Sequence, residues 1–174
     1  TTYLIIQDDR KASKKSRIIA SHQQVVRYDQ ESTEEINDVS QDSILKTFNK
    51  LIKSYDIVLF SDYGKGLFTK KLTQSLINIA NKNHKKVIID PKGSDYSKYK
   101  GAYLLTPNKK EASEATKIDI KNDSSLKKAI IQLKEECNLT ISLITLSELG
   151  IGIYDNKFRK IPTYAREIFD VTGA

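Results

Sequence analysis

The stretch Asp56-Ile57-Val58-Leu59-Phe60-Ser61-Asp62 decides the class of fold. A short, continuous apolar run that ends in polar residues is typical of a buried strand of a parallel sheet, with its carboxyl end at an edge where ligands bind. The same pattern returns in residues 86–91, 103–107 and 140–145, and apolar residues recur at helical spacing through residues 69–83. This alternation of strands and helices predicts an α/β fold.

The remaining segments complete the predicted architecture. Two short strands are expected at 17–20 and 25–28, a helix from residue 43 onwards, and a hairpin over 152–161. Asn108 is expected to cap a short helix, and Asp123 or Ser124 a longer one. We therefore expect a doubly wound, mostly parallel sheet with helices on both faces and a short N-terminal β segment. Right-handed crossovers would place the carboxyl ends of the strands at one edge, near Asp62, Asp90, Thr106 and Thr145.

Composition excludes several classes of protein. The 174 residues suit one domain, and no apolar stretch approaches the roughly 20 residues that a membrane span needs. The formal charge of +7 predicts either attraction to anionic substrates or lysines spread over solvated faces. The basic residues are dispersed and show no aromatic-basic pattern, so no nucleic-acid partner is expected. Cys137 is the only cysteine, which excludes an intrachain disulfide and fits a reducing cytoplasm.

Two strand ends carry an acid followed by a lysine. In Ser61-Asp62-Tyr63-Gly64-Lys65-Gly66, Asp62 could bind a sugar hydroxyl and Lys65 a phosphate, or the segment could be a tight βα turn. In Asp90-Pro91-Lys92-Gly93, Asp90 and Lys92 could orient a phosphate or hydroxyl, or form a helix cap beside a surface lysine. These four side chains are the candidate contacts to substrate.

The segment Thr106-Pro107-Asn108-Lys109-Lys110-Glu111 follows the third parallel strand. Asn108 and Glu111 are three residues apart, so both side chains lie at the first turn of the expected helix. A capping box would explain this spacing without any function. A site for Mg²⁺ would explain it as well, because Mg²⁺ keeps several waters and needs few carboxylates.

The run Asp170-Val171-Thr172-Gly173-Ala174 resembles the opening of the Asp-Thr-x-Gly-Ala-Gly-Asp signature of the ribokinase-like (PfkB) carbohydrate kinases. It follows the Asn108-x-x-Glu111 pair, itself similar to a motif of that family, as the family pattern requires. The resemblance implies a ribokinase-like fold with ATP and Mg²⁺ as cofactors. It implies an anion hole at Thr172, Gly173 and Ala174, and a Mg²⁺ contact through water at Glu111. The implied nucleotide contacts are Asn108, Lys109, Lys110, Glu111, Thr145, Glu148, Gly150, Gly152 and Asp170.

Nearly the whole chain resembles one particular branch of this family. The segments His22-Gln23-Gln24, Arg27-x-Asp29, Asp90-Pro91-Lys92-Gly93 and Tyr99-x-Gly101-Ala102 are similar to the branch that phosphorylates heptose 7-phosphate. The resemblance implies transfer of the γ-phosphoryl of ATP to the anomeric hydroxyl of D-glycero-β-D-manno-heptose 7-phosphate, for ADP-heptose and lipopolysaccharide core synthesis. Kinases of this kind often form homodimers through a small β lid, so residues 1–29 are expected to be the lid or its base and residues 43–174 the nucleotide-binding part.

The same resemblance predicts that the chain is a partial kinase domain, incomplete at both ends. The catalytic base of the signature would follow Ala174, so the chain by itself is expected to be inactive. Two alternatives stay open. The chain could belong to another sugar or nucleoside kinase of this family, or it could be a non-catalytic module that binds nucleotide or nucleic acid.

Overall fold

The computed structural model describes residues 2–21 and 23–163, which form two sheets and four α-helices. A two-stranded antiparallel sheet precedes a six-stranded sheet, and the helices pack on the latter. The strands are β1 (Lys14–Ala20), β2 (Gln23–Gln30), β3 (Ile57–Ser61), β4 (Lys86–Asp90), β5 (Leu104–Leu105), β6 (Ile141–Thr145), β7 (Ile151–Tyr154) and β8 (Phe158–Ile161). The helices are α1 (Asp38–Leu51), α2 (Lys70–Lys82), α3 (Lys109–Thr116) and α4 (Asp123–Glu136).

The larger sheet has its strands in sequence order, from β3 at one side to β8 at the other. The first four strands pair in parallel, and β7 and β8 add an antiparallel hairpin beside β6. The mostly parallel sheet, the hairpin at its end and the separate N-terminal β segment are the architecture that the apolar pattern predicted. Because β3, β4, β5 and β6 run parallel, their carboxyl ends meet at one edge of the sheet.

One face of this sheet forms the core. The strand register places Phe60 beside Ile89, Ile89 beside Leu105 and Leu105 beside Ser142, and all four side chains are buried. Helices cover this face: Phe48 of α1 contacts Phe60, with ring centroids 6.5 Å apart. At the other end, the side chain of Leu126 in α4 lies against Gly152 of β7.

The opposite face is more open than the sequence predicted. Ile57 and Leu59 of β3 are 55% and 69% exposed, although the apolar run suggested a strand covered on both sides. Phe60, on the other face of β3, is only 5% exposed and contacts Phe48 of α1. The uncovered side of the sheet at β3 is thus a feature of this part of the chain.

Two boundaries also differ from those expected. Helix α4 is capped by Asn122, whose side chain accepts from the backbone N–H of Ser125, and not by Asp123 or Ser124. The strand expected over residues 103–107 is only Leu104–Leu105 long, although the backbone N–H of Thr106 still donates to Ile89 O at 3.0 Å. Pro107 lacks an N–H for the ladder, so regular pairing ends before it.

Candidate active site

The carboxyl ends of the parallel strands meet at one edge of the sheet. The backbone N–H of Asp62 donates to Asp90 O at 3.0 Å, and the N–H of Thr145 donates to Pro107 O at 2.9 Å. A bridge between Asn108 and Thr145 joins the start of α3 to the end of β6. The structure thus brings together the strand ends on which the candidate site residues were placed.

Asp62 lies at the end of β3 with its carboxylate buried among donors of the chain itself. Its Oδ2 accepts from Lys98 Nζ and from the hydroxyl of Tyr99, both at 2.6 Å, and its Oδ1 accepts from the N–H of Gly64 at 2.7 Å. Such a carboxylate holds the turn that follows β3. The contact of Asp62 with a sugar hydroxyl stays a prediction, and it would have to compete with these three donors.

Glu111 joins α3 to the neighbouring loop. Its Oε2 accepts from the N–H of Asn108 at 3.1 Å, while Asn108 Oδ1 accepts from the N–H of Glu111 at 2.9 Å, which is a complete capping box. The other oxygen, Oε1, accepts from Lys92 Nζ at 2.7 Å. This hydrogen bond and the charge of Glu111 raise the pKa of Lys92. The capping box is therefore present. It leaves Oε1 of Glu111, which is not part of the box, to accept from the ammonium of Lys92.

Asp90 is exposed at the end of β4, close to these charges. Partial desolvation raises the pKa of its carboxyl, and the neighbouring Glu111 carboxylate raises it further, while Lys92 opposes the shift. The edge thus holds two carboxylates whose mutual repulsion a single ammonium only partly offsets.

The β6–β7 connection is shaped by the chain's own packing. Gly150 has φ of +90°, and a side chain there would overlap the carbonyl oxygen of Ile161. A Cβ on Gly152 would come within 3.1 Å of Leu126. Thr145 ends β6 and Glu148 lies exposed in the 3-10 helix Ser147–Leu149. The nucleotide contacts expected of these four residues stay predictions.

Lys109 and Lys110 occupy the first turn of α3 and are both exposed. Lys110 lies 3.9 Å from Glu114 one turn later, an ordinary surface ion pair. Lys109 borders a shallow depression beside Lys160 and Asp123. Both ammonium groups lie at the surface beside the start of α3, and their nucleotide contacts also stay predictions.

A cleft of about 340 Å³ separates the N-terminal hairpin from the end of β3. Lys65 lies on its wall, where its ammonium forms an ion pair with Glu31 just after β2. Arg10 lines the same cleft and donates to Glu34 O at 2.7 Å and to Lys65 O. The hairpin and the loop after β3 are therefore tied together around a space that is open to a ligand.

Sequence reasoning did not assign roles to Arg10, Lys98 or Tyr99. Tyr99 appeared only as part of the Tyr99-x-Gly101-Ala102 segment. Arg10 and Lys98 could not be recognised because their partners are remote in sequence. Lys65 is 55 residues from Arg10, and Asp62 is 36 residues from Lys98. Asp170, Thr172, Gly173 and Ala174 lie outside the described residues.

The residues at the edge fit a hydrated Mg²⁺ better than a directly ligated metal ion. Among the described residues, no group of three or more acidic, histidine or cysteine side chains could enclose a metal. Asp90 and Glu111 do offer two carboxylates with incompletely offset charge, and Mg²⁺ commonly keeps several of its waters when it binds with substrate phosphates.

The whole chain matches a known family. The sequence profile of the pfkB family carbohydrate kinases covers residues 1–174. The chain belongs to the pfkB carbohydrate kinase family. It is 60% identical to the bifunctional protein HldE of Aliarcobacter butzleri over all of its length, and 52% identical to HldE of Wolinella succinogenes over 98% of its length. It spans 37% and 36% of those two proteins respectively.

Solved pfkB-type folds agree with the architecture. A ribokinase of Arabidopsis thaliana complexed with ribose and ATP superposes on 95% of this chain and 53% of its own, with a TM-score of 0.67 and 15% identity. Phosphofructokinase-2 of Escherichia coli in complex with fructose-6-phosphate covers 85% of this chain and 50% of its own, with a TM-score of 0.63 and 16% identity. At such identities the likeness concerns the fold of this pfkB family chain.

No helix in the described parts of this pfkB family chain is long and apolar enough to cross a membrane. Cys137, at the end of α4, is buried, and burial raises the pKa of its thiol to about 11. The thiol therefore packs as an apolar group.

Proposed function

We propose that the chain is part of an ATP-dependent kinase that phosphorylates D-glycero-β-D-manno-heptose 7-phosphate at its anomeric hydroxyl. The observation that carries this proposal is the convergence of Lys92, Glu111 and Asn108 at the carboxyl edge of the sheet. Asp62, at the same edge, lines the cleft under the hairpin. Family membership and the identity to HldE proteins along the whole chain support the same conclusion. The product would enter ADP-heptose synthesis for the lipopolysaccharide core.

The reaction transfers one phosphoryl group in line. The anomeric oxygen of the sugar forms a bond to the γ-phosphorus of ATP, the bond from that phosphorus to the β–γ bridging oxygen breaks, and ADP leaves. The proton of the sugar hydroxyl passes to a base, which the family signature places beyond the described residues. What the described residues contribute is binding, positioning and compensation of charge.

Two lysines are suited to phosphate groups. Lys92 and Lys65 are held by Glu111 and Glu31 respectively, so each ammonium is already directed toward the edge or the cleft. An incoming phosphate would compete with these carboxylates for the ammonium. We assign Lys65, in the cleft wall, to the sugar phosphate, and Lys92, next to α3, to the nucleotide phosphates.

Mg²⁺ would be held through water by Glu111 and Asp90, near the N-terminus of α3. When bound, it offsets the negative charge of the triphosphate. Glu111 would offer its Oε1 to the hydrated ion, while its Oε2 keeps the capping hydrogen bond to Asn108. Lys92, beside Glu111, would face the nucleotide phosphates.

We further propose a homodimer in the cytoplasm, with residues 1–29 as the lid or its base. The hairpin exposes apolar side chains on a sheet of only two strands, which alone is marginally stable in water. These side chains are Ile18, Ile19, Val25, Val26 and Tyr28. A second copy would cover them. A reducing compartment suits an enzyme whose one cysteine is free.

The test is ADP release by the full-length natural protein with heptose 7-phosphate, fructose 6-phosphate and ribose supplied in parallel. Turnover confined to the heptose phosphate is expected. Turnover of another sugar would retain the kinase and refute the heptose assignment. If no sugar is turned over and oligonucleotides bind in a salt-sensitive way, the chain is a binding module instead.

Variants of the two lysines test their assignment within that assay. Lys65→Met should raise the KM for the sugar phosphate, and Lys92→Met the KM for ATP, each by about tenfold, since one charge-assisted contact is lost. Lys121→Met is the matched control, because Lys121 pairs with Asp119 at the surface at 2.7 Å. If both KM values stay at the control level in either variant, the role of that lysine is refuted.

A further inference from the structure

The hydroxyl of Tyr99 joins the two loops that carry the candidate lysines. Tyr99 is 0% exposed, and its hydroxyl donates to Asp62 Oδ2 at 2.6 Å while it accepts from the backbone N–H of Lys92 at 3.1 Å. The other oxygen of Asp62 holds the N–H of Gly64 at 2.7 Å. One buried hydroxyl is therefore bonded to the turn after β3 and to the turn after β4.

These contacts continue across the sheet edge. From Lys92 the side chain reaches Glu111, Glu111 bonds the backbone of Asn108, and Asn108 bridges to Thr145. A single series of contacts thus runs from the end of β3, beside the cleft, to the end of β6. Tyr99 is the member that links the cleft side of this series to the side that carries the capping box of α3.

We infer that Tyr99 is a positioning residue, which sets the place of Lys92 relative to the loop of Lys65 and thereby aligns the sugar phosphate with the nucleotide. This inference rests on the proposed kinase function. Tyr99 itself touches neither substrate, because it is fully buried. It acts through the backbone of Lys92 and through Asp62.

The chemistry of a phenol suits this task. A hydroxyl can donate to a carboxylate and accept from an N–H at the same time, which a phenylalanine ring cannot do. Burial, followed by the hydrogen bond to Asp62, raises the pKa of Tyr99 well above its ordinary value, so the donor stays protonated throughout neutral conditions. Lys98 donates to the same Asp62 oxygen and fixes its direction further.

The chain provides a matched control in Tyr96. It is also buried, packs edge-on against Tyr99 with ring centroids 5.6 Å apart, and its hydroxyl has no hydrogen-bond partner among the described residues. Tyr96→Phe and Tyr99→Phe therefore remove the same atom from the same aromatic pair. Only the second removes the hydroxyl that connects the loops.

Both variants are made in the full-length protein and assayed with ATP and heptose 7-phosphate. Tyr99→Phe should lower kcat/KM by about ten- to a hundredfold, because a small displacement of a positioned group strongly slows a transfer reaction. Tyr96→Phe should stay within about twofold of the wild type. Thermal unfolding of each variant establishes that it is folded at the assay temperature.

A double-mutant cycle with Lys92→Met separates positioning from mere stabilisation. If Tyr99 acts through Lys92, Tyr99→Phe should have little further effect once Lys92→Met is present. If the two substitutions lower kcat/KM by independent factors that multiply in the double variant, the inference is overturned. It is also overturned if Tyr99→Phe has the same kcat/KM as Tyr96→Phe. Should Tyr99→Phe not fold, 4-aminophenylalanine at position 99 keeps the donor to Asp62 but is a poor acceptor for the N–H of Lys92. A kcat/KM equal to that of Tyr96→Phe then overturns the inference.

The wild type distinguishes failure of the inference from failure of the proposed function. A wild type that turns over none of the sugars refutes the kinase proposal, and with it the basis of the inference. An active wild type with an equally active Tyr99→Phe variant refutes the inference alone.

Discussion

Asp90 shows how charge at a single residue couples the site to stability. Its pKa is raised in the folded protein by desolvation and by Glu111, so the folded state binds a proton more tightly than the unfolded chain. Stability from this group is therefore greatest in acid and decreases as the pH rises through the window above the ordinary carboxyl pKa. Ligand sites commonly carry such a cost.

Asp90→Asn should consequently raise the stability of the protein at pH 7. The gain should shrink as the pH falls and vanish below the ordinary carboxyl pKa, where Asp90 is protonated in both states. Urea unfolding at several pH values measures this trend, with Asp119→Asn as a control for a carboxylate at the surface. A gain that grows in acid would contradict the assigned shift.

Gly150 offers a prediction about backbone geometry. Gly150→Ala should lower the free energy of unfolding by about 3 kcal/mol or more. The residue has φ of +90°, and the new methyl group would overlap the carbonyl oxygen of Ile161. Gly93→Ala is the matched control: its φ is +91°, but nothing lies within 4 Å of a Cβ there. It should cost only about 1 kcal/mol, the strain of the backbone. If chemical denaturation shows that both variants lose the same free energy of unfolding, the contact with Ile161 O does not contribute to the effect.

Single residues differ in how far the sequence could predict their surroundings. The spacing of Asn108 and Glu111 predicted a capping box, since a helix places residues three apart at the same turn. The pairing of Asp62 with Lys98 could not be predicted, because it depends on the path of a loop 36 residues further along the chain. Contacts within one helical turn follow from the local sequence, whereas contacts between distant segments depend on the tertiary structure.

The short helix α3 depends on its cap, and it has only eight residues. Asn108→Ala should destabilise the protein by about 1 kcal/mol. It should also weaken ATP binding, because Glu111 is held toward Lys92 by the same capping box. Asn122→Ala, which removes the capping box of α4, is expected to cost a similar free energy.

The measurement compares the nucleotide affinity of the two capping variants. Calorimetry with a non-hydrolysable ATP analogue and Mg²⁺ should show weaker binding for Asn108→Ala and unchanged binding for Asn122→Ala. If both variants bind the nucleotide equally, α3 has a structural role alone.

At the scale of elements, the apolar pattern predicted the type of most helices and strands. The runs around β3, β4 and β6 and the spacing in α2 are strong periodic signals, and these elements were found close to where they were expected. The pattern could not say which side of β3 would be covered. Ile57 and Leu59 are as apolar as Phe60, yet they lie on the open face, because coverage depends on where the connecting helices pass.

The whole molecule presents an apolar hairpin to its surroundings. Register places Ile18 directly opposite Val26, and both are exposed. Contiguous apolar surface of this kind marks an interaction site, and a second copy is the partner that we propose. The full-length protein should therefore sediment as a dimer.

The double variant Ile18→Glu/Val26→Lys should convert that dimer to a monomer. The opposite charges face each other across the strands and keep the hairpin paired, while the apolar surface is lost. Ile161→Lys, which changes an exposed apolar residue of β8, should leave the dimer intact. A double variant that still sediments as a dimer would place the subunit interface elsewhere.

The sequential order of the strands also bears on synthesis. Each parallel strand pairs with the one made just before it: Ile57 of β3 pairs with Lys86, Ile88 with Leu104, and Leu104 with Ile141. None of these pairings waits for a distant segment of chain, so loop closure is short at each step. The sheet can thus grow strand by strand as the polypeptide leaves the ribosome, and the strand ends that carry the proposed phosphate contacts would be assembled in the same order.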